Sequence, residues 1–167
     1  MLSIGVAGHP FGGADIPGYK LKPSDDLWVM MYQLGMFYPF FRAHNEINYQ
    51  DREPWLQNDR IQGVIRNAIK TRYDLIHYIY TMFYQASSEG KPLVRAMWFE
   101  FPHDESLIGL DTQFMFGENI LVCPKLEKPE PYPNSDQKVW NVNCTLPESS
   151  LWYNYYDRLK IPGTGLK

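Results

Sequence analysis

The chain has no apolar run approaching the roughly 18 residues that cross a membrane, so no membrane span is expected. It has no basic stripe either: acids and bases are interspersed, and a formal net charge of -3 gives a phosphate backbone nothing to follow. Nucleic acid is therefore not an expected partner. Cysteine is scarce. Cys123 and Cys144 lie far apart with no CxxC pair, so their spacing makes no metal site; one disulfide is allowed, but nothing indicates it. HxH and HExxH spacings, which would suggest a metal centre, are absent. The start, MLSIGVAGHPFGG, has neither a basic flank nor a long apolar segment. Any signal for a secretory compartment is expected outside this chain. No internal repeat occurs, and low complexity is limited to the proline-rich stretch from Lys125 to Lys138.

What the chain does have is length for one ordinary domain or pieces of two larger ones, since domains cluster near about 100–150 residues. Its apolar and charged fractions, 44% and 21%, are those of a globular protein. Aromatics are plentiful, with five Trp, twelve Tyr and nine Phe. Most are expected in the core, but such rings also stack on the C–H face of a sugar. The triplet Asn143-Cys144-Thr145 matches a glycosylation acceptor, a pattern too common to weigh alone.

Gly8 to Asp15 reads as a short buried strand that ends in an acid, followed by the turn Ile16-Pro17-Gly18-Tyr19. Pro23-Ser24-Asp25-Asp26 then supplies a helix N-cap and an acidic first turn. Leu27, Met30, Met31 and Leu34 recur at helical spacing, and Gly35 can end the helix. Phe37 to His44 looks like a second buried strand. A longer helix is expected from about Asp59 to Ser87, with Ile61, Ile65, Ile69, Ile76, Ile79 and Phe83 on one face and Gly90 and Pro92 as stops. The order strand, helix, strand, helix is the repetition of a parallel sheet or barrel. Two such units cannot close a barrel of eight strands. The chain is thus a strange small domain or a piece of a large one.

From Leu93 onward short β-type runs alternate with Pro, Gly and Asn turns: Leu93 to Phe101, Phe114 to Phe116, Ile120 to Cys123, Val139 to Val142 and Leu151 to Tyr156. They suggest an antiparallel module. Lys125 to Lys138 has the composition of a surface loop, and the chain stops at Ile161 to Gly165 without a terminating element.

In a barrel, functional side chains sit at the C-terminal ends of the strands. The first expected strand ends in Asp15 with Tyr19 just beyond, and the second ends in Arg42 and His44. These four converge if the strands are neighbours. A carboxylate accepts protons from vicinal hydroxyls while Arg and His donate to their oxygens, and Tyr19 adds an aromatic wall. Against this stands a purely structural reading, in which Asp15 and Arg42 form an ion pair and His44 is a satisfied buried histidine.

GHPFGGADIPGY, LWVMMYQLGMFYPFFRAHNEIN and REPW together resemble glycoside hydrolase family 31, whose members show a G-A-D-x-G-G-F turn and an F-F-R-x-H strand in this order. The similarity runs on through Arg72-Tyr73-Asp74-Leu75, Gly90 to Arg95, Gly117 to Val122, Leu146-Pro147 and Trp152 to Tyr155, covering nearly the whole chain. It implies an α/β then β architecture: residues 1–92 as the last βα units of a (β/α)8 TIM barrel, and 93–167 as part of an antiparallel β-sandwich. It also implies a retaining α-glucosidase-type hydrolase acting on an α-glucoside or glucosylated glycan without a cofactor or metal. His44 would bind a hydroxyl at the cleavage point, Arg42 and Asp15 would support the pocket floor, and Tyr19 would pack against substrate. Arg42-Ala43-His44 and Arg52 to Trp55 are most similar to a branch of the family that works with a second subunit in the endoplasmic reticulum or secretory pathway.

Pro17 stands where the family usually has Gly, and Tyr19 where it has Phe. The larger departure is an absence. The family's nucleophile lies in a W-x-D-M-N-E-like motif and its acid/base in a W-x-G-D-like motif, and neither occurs here. Retaining hydrolysis needs two carboxyl groups about 5–5.5 Å apart, and Asp15 is the only acid expected at a strand end. The resemblance therefore implies a segment that contributes pocket residues but no catalytic residue of its own. Two other readings fit the bare pattern: a metal-dependent barrel hydrolase using His9, Asp15 and His44, or a non-catalytic carbohydrate-binding or interaction module built around Trp140 and Trp152.

Overall fold

The computed structural model describes residues 1–127, 130–131, 138–139 and 141–162. Helix α2, Asp25–Gly35, starts where Ser24 caps it: the Ser24 hydroxyl accepts from the Leu27 amide at 3.3 Å, and Asp25 and Asp26 face the positive helix end. Its buried face differs from the expected one. Trp28, Val29, Tyr32 and Gly35 are buried, whereas Leu27, Met30, Met31 and Leu34 are only half-buried. Both sets recur at helical spacing, and which one turns inward depends on the partner. That partner is α3, Asp59–Asp74, through Ile61, Ile65 and Ala68. Burial pushes the Tyr32 phenol in this core up to about 12.

The expected helix from Asp59 to Ser87 is in fact two, α3 and α4, the latter Ile76–Glu89, with a break at Leu75 (φ -90°, ψ 0°). No Gly or Pro marks the break. It lets α3 pack on α2 while α4 sends Ile79 and Met82 into a second core with Leu93, Val94 and Phe116. The change of direction leaves Ile76 45% exposed rather than on the buried face. Gly90 ends α4 in the left-handed conformation (φ 73°), as a helix C-terminus favours.

A short helix that the sequence reading did not anticipate, α1 (Leu2–Val6), lies against strand β1 (Val94–Arg95). Strands β1, β2 (Phe114–Phe116) and β3 (Ile120–Val122) form an antiparallel sheet in that order, with Val94 opposite Phe116 and Phe114 opposite Val122. The expected strand from Leu93 to Phe101 is thus only two residues long. Arg95 is buried and turned into the protein, where it donates to the Pro92 carbonyl at 2.7 Å and pairs with Glu100; the chain then coils into α5 (Met97–Glu100). Strands β4 (Glu130–Pro131) and β5 (Lys138–Val139) pair as a ribbon inside the stretch read as a loop. Leu151 to Tyr156 contributes one antiparallel bridge, Tyr153 to Lys160, and Trp152 is half-buried against Phe101 with its indole donating to the Pro147 carbonyl at 2.9 Å. Trp140 and the end from Gly163 lie outside the described residues.

Cys123 and Cys144 are joined, their Cα atoms 5.8 Å apart and 21 positions apart in sequence. Nothing in their spacing indicated this, because the return from β3 brings together residues with no local relation. Closing a loop of that length stabilises a fold on the order of 3 kcal/mol.

One local contact is open to a simple test. The Asn58 side chain accepts from the Ile61 amide at 3.0 Å, capping α3, and donates to Asp25 at 3.1 Å. Asn58→Ala is expected to lower stability by about 1 kcal/mol, measured as a shift in the denaturant midpoint of the full-length protein.

Candidate functional site

The site rests on two chain segments, 12–19 and 40–46, that run parallel. The Phe40 amide donates to the Gly12 carbonyl at 3.0 Å, Ile16 to Arg42 at 3.3 Å, His44 to Ile16 at 3.2 Å, and Glu46 to Tyr19 at 3.1 Å. In strict terms this is not the pair of strands expected from the sequence but a single parallel bridge, Ile16 to Ala43. Pro17 has no amide to extend it; the Ile16–Pro17 peptide is cis and Gly18 has φ 118°. Parallel pairing still sets the register. Ile16 is fully buried, and its neighbour Asp15 stands on the opposite face, beside Arg42.

Close approach of the two segments requires glycine at two places. A Cβ on Gly13 would lie 1.8 Å from the Phe40 carbonyl oxygen, and one on Gly35 would lie 2.1 Å from the Ile16 side chain. The first allows the segments to touch; the second seats α2 beneath them.

Two arginines that the sequence reading gave no structural role hold this frame. Buried Arg52 donates to the Gly18 and Leu21 carbonyls and so fixes the turn that carries Tyr19. Arg72 donates to the Met36 and Tyr38 carbonyls at 2.7 Å and to Pro39 at 3.1 Å, and lies over the Phe41 ring at 5.3 Å. It fixes the chain leading from α2 to Arg42, and burial lowers its pKa from the ordinary value. Arg52 lies in REPW and Arg72 in RYDL, and single arginines in such runs carry no signal of burial. Only the carbonyls gathered around them reveal what they do.

On this frame the four candidate residues form two contacts. Arg42 donates from Nε to Asp15 Oδ1 at 3.0 Å and reaches the same oxygen from Nη2 at 2.8 Å, with its guanidinium 5.1 Å from the Phe40 ring centre. Both contacts use Oδ1; among the described residues no hydrogen bond reaches Oδ2. Tyr19 and His44 stack, ring centres 5.8 Å apart and planes 25° apart. The ion pair of the structural reading is therefore present. Its buried histidine is not: His44 is exposed, as is Tyr19 at 47%. An exposed imidazole against a phenol can accept hydrogen bonds from a polyol and donate to it, and a carboxylate oxygen that no hydrogen bond among the described residues engages can accept them.

Among the described residues no three of His, Cys, Asp and Glu stand together as metal ligands would, so His9, Asp15 and His44 do not form such a group. A groove of about 550 Å³ lies elsewhere, between α2 and β3, lined by Met30, Leu34, Val64, Ile120 and Tyr156 among others.

Residues 1–82 match the TIM-barrel domain of glycosyl hydrolases family 31, and residues 90–166 match the family's C-terminal domain. The chain belongs to glycoside hydrolase family 31. Within family 31 it is 37% identical over 163 residues to neutral alpha-glucosidase AB of Sus scrofa, covering 97% of this chain and 16% of that protein. It superposes on the glucosidase II alpha subunit in a Glc1Man2-bound structure with a TM-score of 0.88 at 35% identity, over 99% of this chain and 17% of that one. A structure of an ER glucosidase II heterodimeric complex, a catalytic subunit with the binding domain of a regulatory subunit, matches over 96% of this chain and 17% of that one, with TM-score 0.79 and 35% identity. The chain thus spans about a sixth of these relatives, and comprises part of the family 31 TIM barrel and part of the domain that follows, with a small antiparallel sheet.

Proposed function

We propose that the chain forms one wall of the sugar pocket in a retaining α-glucosidase-type glycoside hydrolase, with the nucleophile and the acid/base carried by other parts of the same protein. Residues 1–92 are then the last βα units of the (β/α)8 barrel, and 93–167 part of a β-sandwich packed against it. The observation that carries this reading is that two parallel segments bring Asp15 onto Arg42 and Tyr19 onto His44. Barrel strand ends are where such sites form. Arg42 holds Asp15 so that Oδ2 accepts from a hydroxyl, His44 hydrogen-bonds a second hydroxyl, and Tyr19 backs the imidazole. The substrate is an α-glucoside or a glucosylated glycan. The relative solved with a regulatory subunit supports a second subunit as partner.

Asp15→Asn in the full-length protein tests the reading. It keeps an acceptor but removes the charge that strengthens a hydrogen bond from a hydroxyl. A fall in kcat/KM of about tenfold, roughly 1.4 kcal/mol, is expected on an aryl α-glucoside. Unchanged kcat/KM in a variant that melts like the parent would remove Asp15 from the pocket.

A further inference from the structure

We infer that Asn143 is an acceptor for an N-linked glycan. Asn143-Cys144-Thr145 is the one Asn-x-Ser/Thr triplet in the 167 residues. Such a triplet is commonplace, and its surroundings decide what it can do. Residues 141–145 carry no helix or strand and are all exposed, so among the described residues a bulky sugar on Asn143 displaces no packed atom. The backbone just after Asn143 is nonetheless tied down. Cys144 is bonded to Cys123, and buried Gln113 grips Thr145 in both directions, accepting from its amide at 2.8 Å and donating to its carbonyl at 2.7 Å.

The disulfide is the second, independent observation. It engages both cysteines of the chain, and such bonds form and persist in oxidising compartments such as the endoplasmic reticulum lumen. That is also where lipid-linked oligosaccharide donors are used. A compartment-dependent bond and an acceptor triplet therefore share one exposed loop and one residue, Cys144.

The transfer balances without any redox partner. The Asn143 amide nitrogen attacks C1 of the first sugar of a lipid-linked oligosaccharide diphosphate. The C1–N bond forms, the C1–O bond to phosphate breaks with its electron pair leaving on the lipid diphosphate, and the amide gives one proton to a carboxylate of the transferase. A transferase must draw the triplet into its own cleft. A backbone fixed at Cys144 and Thr145 resists this, so transfer precedes closure of the Cys123–Cys144 bond. The glycan then remains on the surface after folding.

The test uses the full-length protein purified from its own source, and mass spectrometry of the proteolytic peptide that contains residue 143, before and after an amidase that releases N-glycans and converts Asn143 to Asp. The expected result is loss of the unmodified peptide mass, with the Asp form appearing after release. Asn143→Gln and Thr145→Ala abolish the modification and Thr145→Ser retains it. Cys144→Ser, which leaves Asn-Ser-Thr and removes the bridge, gives equal or higher occupancy. Because transfer takes place on the unfolded chain, a variant that folds poorly still reports. Unmodified Asn143 in both the parent and the Cys144→Ser protein would overturn the inference, as would a modified peptide unaffected by Thr145→Ala.

Discussion

Residues 1–167, prepared alone, are expected to show no measurable hydrolysis of an aryl α-glucoside. Retaining hydrolysis needs one carboxyl group to attack the anomeric carbon and another, about 5–5.5 Å away, to protonate the departing oxygen. Of the two acids on segments 12–19 and 40–46, only Asp15 belongs to the candidate site, and that acid is bound to Arg42. The other nearby acids have different surroundings. Asp25 and Asp26 occupy the first turn of α2, Glu46 lies 3.8 Å from the Lys20 ammonium, and Glu53 opens the 3-10 turn Pro54–Leu56. One carboxylate cannot be both nucleophile and acid. The relatives, about six times longer, have room for both. The full-length protein is accordingly expected to turn over the same substrate with retention of configuration. Turnover by rigorously purified segment, abolished by Asp15→Asn, would show that this chain holds a complete catalytic pair.

His44→Ala in the full-length protein is expected to cut kcat/KM by roughly 10²-fold or more, on the order of 3 kcal/mol, the usual effect of losing one preorganised donor. The sugar ring flattens toward an oxocarbenium-like transition state, and hydroxyl contacts near it strengthen as charge develops. A bond that tightens in the transition state lowers kcat when removed, whereas one made equally in the ground state appears in KM. The loss should therefore fall mainly on kcat. Because His44 is exposed and stacks on an exposed Tyr19, its removal leaves no core cavity, and melting should change little. If kcat/KM stays within about threefold of the parent, less than 1 kcal/mol, His44 is not a sugar ligand and the pocket is misassigned.

Local chemistry was legible in the sequence wherever the physics is local. Ser24, Asp25 and Asp26 specify the start of α2 because the hydroxyl accepts from the Leu27 amide and two acids in the first turn suit the positive helix end. Gly90 specifies the end of α4 because a positive φ there carries no steric cost. The β-type runs at Phe114 and Ile120 become paired strands because a short Gly-containing turn separates them. The family, too, could be read from ordered motifs, GHPFGGADIPGY before FFRAH, both within the residues that match its TIM-barrel domain.

Tertiary contacts decided the rest. The helical repeat of α2 offers two apolar faces, and only the presence of α3 turns Trp28, Val29 and Tyr32 inward. The break at Leu75 has no sequence marker because it answers to two separate cores on either side. Whether Cys123 meets Cys144, and whether Arg72 finds three carbonyls, depends on chain segments tens of residues away. The same holds for the site. Residue types nominated Asp15, Tyr19, Arg42 and His44, but their pairing follows from the parallel register of segments 12–19 and 40–46, which Gly13 permits by close approach and no local propensity encodes.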